Sequence, residues 1–155
     1  MKHLARIVMI SIIPFAVFLI MLYGEIDFIL EPRINPASNM SSQEWLQTFR
    51  QLATYGIIAS WLVSLIWYYL GQWYFKVNNW GMANRRAVWG LLFLIPVGVF
   101  AITSFFTPQA QEGAFWAFLF YLVNNVIIYY LGTVLFSPPA FMYTPIGATV
   151  IRHWR

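Results

Sequence analysis

Long apolar runs, separated by short polar clusters, organise this chain. The first runs from Leu4 to Tyr23 and is interrupted only by Arg6. Three more follow, from about Gln51 to Phe75, Ala87 to Phe106 and Ala114 to Phe136. Each has about the 20 residues needed to cross a hydrocarbon layer of roughly 30 Å. The runs lack the in/out alternation of a membrane barrel strand. Helices also satisfy their own backbone hydrogen bonds in lipid, which open sheets cannot do. The pattern predicts an all-α integral membrane protein, with four transmembrane helices in a compact bundle and both termini cytoplasmic. One membrane domain, 1-155, is expected, with spans at 4-23, 51-75, 87-106 and 114-136. An external loop would occupy 24-50 and a cytoplasmic tail 137-155.

Local signals refine these boundaries. Lys2, His3 and Arg6 before an apolar run resemble a secretory signal. The run is longer than a typical signal core, however, and no small-x-small cleavage site precedes Glu25, so a retained helix is expected. Ser41-Ser42-Gln43-Glu44 has the form of a capping box, and Trp45, Phe49 and Leu52 fall on one helical face. A short interfacial helix, or an extension of span two, should therefore begin there. Pro14 and Pro96 lie inside spans and are expected to bend them. Pro138, Pro139 and Pro145 prevent the tail from continuing the fourth helix, so it is expected to lie along the interface. Trp67, Tyr68, Tyr69, Trp73, Tyr74, Trp80 and Trp89 read as an aromatic belt at the headgroups.

Composition supports the same class. Hydrophobic residues make up 61% and charged ones 9%, against about a quarter charged in an ordinary soluble domain. The chain has no cysteine, which excludes disulfides, thiolate metal sites and thiol-linked lipid anchors.

The placement of the charges carries more than their number. With four spans, Lys2, Arg6, Lys76, Arg85, Arg86, Arg152 and Arg155 all fall on one side. The other side holds Arg33 and Arg50 and all five acids: Glu25, Asp27, Glu31, Glu44 and Glu112. By the positive-inside rule the basic side is cytoplasmic. Dispersed basic residues of this kind suit anionic headgroups, and nucleic acid is not an expected partner.

Few residues are placed for chemistry. Each predicted span is free of Asp, Glu, Lys, Arg and His in its deep part, where coupled transporters usually place an ionisable group. His3 and His153 sit at chain ends, so no metal or cofactor is expected. The serines have no histidine partner on the external side, and glycine-rich phosphate motifs are absent. No catalytic activity is expected.

Packing residues stand out instead. Gly56, Ser60 and Ser64 repeat every four residues, and the same side continues to Gly71, giving a seam for close helix approach or a subunit interface. Tyr121, Asn124, Asn125 and Tyr129 form a polar group midway along span four. It must face the bundle, a subunit contact or a pore, because an unpaired amide in hydrocarbon costs several kcal/mol.

The leading expectation is a non-enzymatic membrane protein, embedded as a subunit or assembly partner of a larger complex. Its partners would be the lipid bilayer and other membrane subunits or copies of itself. The alternative is a homo-oligomeric ion channel or membrane-permeabilising effector. Short loops without disulfides fit a bacterial inner membrane.

Overall fold

A computed structural model describes residues 2–37, 40–138 and 141–152. The readings placed on Pro139, His153 and Arg155 lie outside the described residues. Helix α1 spans Lys2–Ile20, continues as a π-helix over Met21–Leu30 and closes in a 3-10 turn, Glu31–Arg33. Helix α2 spans Ser42–Tyr69 and continues as a π-helical turn, Leu70–Tyr74. Helix α3 spans Met82–Phe106 and α4 spans Ala114–Phe136, followed by a short α5, Ala148–Arg152. Four of these helices are long and apolar enough to cross a membrane.

The helical signals in the sequence act where the chemistry requires. Ser41 accepts a hydrogen bond from the Glu44 N–H at 3.2 Å, while the Glu44 carboxylate accepts one from the Ser41 N–H at 2.9 Å. This completed capping box starts a helix that runs unbroken to Tyr69. The amphipathic stretch at Trp45 is therefore the first part of α2, and no separate interfacial helix forms. Pro14 and Pro96 lie inside continuous helices. Helix α4 stops at Ser137, whose extended backbone leads into Pro138.

The first helix differs most from expectation. It does not end near Tyr23 but runs on to Arg33, so residues read as loop are helical. Glu25, Asp27 and Glu31 interrupt the apolar run, yet Ile26 and Leu30 are almost fully buried between them. Those two side chains anchor the extension to the core that also holds Trp45, Phe49, Ala53 and Tyr121.

The two ends of the bundle close differently. At one, the α1–α2 and α3–α4 connections pair as a two-stranded antiparallel ribbon, β1 (Asn35–Pro36) with β2 (Ala110–Glu112). Gly113 turns the ribbon into α4 with a φ of 84°. A Cβ there would run into the Arg33 carbonyl, so glycine is needed for both its conformation and its size. Trp45, fully buried, donates from Nε1 to the Pro108 carbonyl at 2.7 Å and ties α2 to this ribbon end.

At the opposite end the tail folds back. Phe141 packs on Phe75 and under the Arg85 guanidinium, 4.6 Å from its ring centre. The Arg86 Nε donates to the Thr144 carbonyl, and the Tyr130 hydroxyl to the Ile146 carbonyl. Part of the expected aromatic belt belongs to this interior. Trp67 and Tyr68 are buried, and Trp67 donates from Nε1 to Ser137 at 2.8 Å. Tyr69, Trp73 and Tyr74 remain about half exposed, as belt residues would be.

Candidate functional site

The polar groups of the helices converge on α4, which lies against all three other long helices. Along the α2 side, a Cβ at Gly56 would coincide with the ring of Tyr121, and one at Gly132 would stand 3.0 Å from the Ser64 hydroxyl. Each glycine admits a side chain from the facing helix, the close approach that small residues permit. Between them the Ser60 hydroxyl donates to the Asn125 carbonyl oxygen at 2.7 Å. The Asn125 amide in turn donates to the Tyr121 carbonyl at 2.7 Å. Ser64 returns its proton to the Ser60 carbonyl at 2.8 Å. Gly71, within the π-turn that follows α2, faces Pro138 and Phe141 of the folded-back tail.

Successive helical residues point about 100° apart, and the adjacent asparagines therefore serve different neighbours. Asn125 faces α2. Asn124 turns to α1 and donates from Nδ2 to the Glu25 carboxylate at 2.7 Å. The two tyrosines engage α3. The Tyr121 hydroxyl lies 2.9 Å from the Thr103 hydroxyl, and the Tyr129 hydroxyl donates to the Trp89 carbonyl at 2.5 Å. Trp89 answers from Nε1 to Thr133 at 3.0 Å.

Thus Tyr121, Asn124, Asn125 and Tyr129 are buried within one chain, none more than 4% exposed. Gly56, Ser60 and Ser64 meet Tyr121, Asn125 and Gly132, while Gly71 meets the tail.

Two residues of this network escape sequence reasoning. By the apolar pattern alone Glu25 falls in the external loop, outside the spans. In the fold it caps the amide of Asn124, ten residues into α4 or about 15 Å along the helix. An ionisable group therefore does reach the polar interior, contrary to the expected inventory. The signal lay in Ile26, Phe28, Ile29 and Leu30, which keep the segment apolar beyond Gly24. Thr103 carried no comparable signal, because a lone threonine in an apolar helix can bond its own backbone. It does so here, to the Val99 and Phe100 carbonyls.

Chemically, the arrangement joins helices. Among the described residues no group of three or more His, Cys, Asp or Glu side chains could hold a metal ion. The described acids outside this network lie toward the ribbon end, where Asp27 pairs with Arg50 at 3.0 Å. Comparison with protein-family models, curated proteins and solved structures yields no match.

Proposed function

We propose that this chain is an embedded, non-enzymatic subunit of a larger membrane assembly, and that it contacts its partners through the outward face of α3. The observation that carries this reading is the uneven use of the four long helices. Within their most apolar windows, 44% of α2 and of α4 is buried inside the chain, against 11% of α3. Pro96 and Thr103 are the buried residues of α3. Its outward surface includes Gly98, where a Cβ would meet nothing within 4 Å. Small residues of this kind let a second helix approach closely in a bilayer, where packing rather than hydrophobicity drives association. The Gly56–Ser60–Ser64 seam is already occupied inside the chain, so the assembly surface lies elsewhere.

The orientation belongs to the same proposal. The tail end carries Arg85 and Arg86, and the ribbon end carries Asp27, Glu31, Glu44 and Glu112. The positive-inside rule then makes the tail end cytoplasmic, in a bacterial inner membrane.

Purification from the native host in mild detergent, with mass determination of the intact particle, tests the assembly. A complex heavier than one chain is expected. Gly98→Leu should dissociate it while the released chain keeps its helicity and unfolding midpoint. A monomer without companions overturns the proposal, as does a complex indifferent to Gly98→Leu. The channel alternative would instead be favoured by ion conductance of the chain alone in liposomes that is lost in Asn125→Leu.

A further inference from the structure

A furrow runs between α1 and α2, and its two halves differ in chemistry. Toward the ribbon end lies a cavity of about 430 Å³, whose polar walls are Asp27 and Glu31 from α1 and Gln43, Gln47, Arg50 and Gln51 from α2. Deeper along the same two helices lies an apolar groove of about 290 Å³, formed by Pro14, Phe15 and Phe18 against Ile57, Ile58 and Trp61. On α2, Gln43, Gln47, Arg50, Thr54, Ile58 and Trp61 follow one another at steps of three or four. They therefore share one helix face. The two cavities therefore lie in succession along one side of α2, with α1 bordering both.

The π-helix makes this alignment possible. In an unbroken α-helix, the nine residues from Phe18 to Asp27, at about 100° each, would place Asp27 on the opposite side from Phe18. Through Met21–Leu30 the bonds span five residues and the chain turns by only about 80° per residue. That lag returns Asp27, and Glu31 one turn later, to the side of α1 that carries Phe15 and Phe18. The local departure from α geometry thus sets two carboxylates above an apolar groove.

We infer that this furrow binds one aminophospholipid, with its headgroup in the polar cavity and an acyl chain in the groove. The charges are complementary to a phosphate joined to a primary ammonium. Arg50 offers the guanidinium: its Nη2 is held by Asp27 at 3.0 Å, while its Nε is buried without a hydrogen-bond partner among the described residues. Asp27 and Glu31 supply carboxylates for the ammonium, and Glu31 is steadied by the Gln43 amide at 3.4 Å. A primary ammonium donates hydrogen bonds to both acids, which a quaternary ammonium cannot do. An uncharged polyol headgroup would leave the excess of carboxylate unanswered.

The full chain, delipidated in mild detergent and titrated with defined lipids under native mass spectrometry, provides the test. One phosphatidylethanolamine per chain is expected, retained roughly tenfold more than phosphatidylglycerol or phosphatidylcholine. The double variant Asp27→Asn/Glu31→Gln should abolish that preference. Because Ile58 is 43% exposed, Ile58→Trp can fill the groove without entering the core, and it should reduce retention of all three lipids. Equal binding of the three by the native chain overturns the inference, as does preferred binding of phosphatidylglycerol. Preference that survives the double variant, or retention unaffected by Ile58→Trp, also overturns it. None of these outcomes depends on the oligomeric state.

Discussion

Asn125 shows how a single buried amide is accommodated where water is absent. Its carbonyl oxygen accepts from Ser60 and its amide donates to the Tyr121 carbonyl, so both ends of the side chain are satisfied. Intramembrane hydrogen bonds contribute modestly, about 0.6 kcal/mol on average, because the separated helices also find partners. Replacing Asn125 with Leu should therefore lower stability by only about 1 kcal/mol. Combined with Ser60→Ala it should show a coupling of about 0.6 kcal/mol in a double-mutant cycle. Unfolding in mixed micelles measures both values. Additive effects would show that the Ser60–Asn125 contact contributes nothing to stability. Asn124 is less tolerant by the same logic, since its loss leaves the Glu25 carboxylate without the amide that it accepts from. The sequence identified both asparagines as groups that must be paired. It gave no indication that they divide between α2 and α1, because that depends on which helices flank α4.

At the scale of elements, the two ends of α2 contrast. Its start is coded locally: Ser41 and Glu44, three residues apart, satisfy each other's backbone groups. Ser41→Ala removes one acceptor from the first turn and should cost about 1 kcal/mol. Hydrogen exchange should show faster opening confined to roughly the first two turns of α2. Protection that is unchanged there would mean that Trp45, through its bond to Pro108, holds the start of the helix without the cap. The other end passes into the π-turn at Leu70–Tyr74, which sets Gly71 beneath Pro138 and Phe141. Nothing local announces that turn. Tail residues more than sixty positions away pack against it, so tertiary contact selects it. The π-segment of α1 is similar. Its hydrophobicity is legible, but its winding follows from burying Ile26 and Leu30 in the core while Glu25 reaches Asn124.

For the whole molecule, the charge asymmetry and the bundle geometry lead to one expectation. An even number of long antiparallel helices brings the chain back to its starting side, and the tail end gathers basic side chains. Reporters fused after residue 155 should fluoresce as a cytoplasmic protein and stay silent as a periplasmic phosphatase, with the opposite result for insertion between Asn35 and Met40. Phosphatase activity at the C-terminus would reverse the orientation and place the acidic ribbon end, with its furrow, on the cytoplasmic side.

The sequence by itself determined the class of the protein: four apolar stretches of membrane-crossing length, the capping box at Ser41, the end of α4 before Pro138 and the need of each buried polar group for a partner. These follow from composition, periodicity and short-range bonding, which act between neighbours in the chain. The tertiary structure decided what faces what. Gly56 receives Tyr121, Asn124 receives Glu25, and a π-helix turns Asp27 and Glu31 into line with an apolar groove. Such pairings join residues up to 99 positions apart and depend on how four helices settle against one another. That settlement is a property of packing, and no local pattern encodes it.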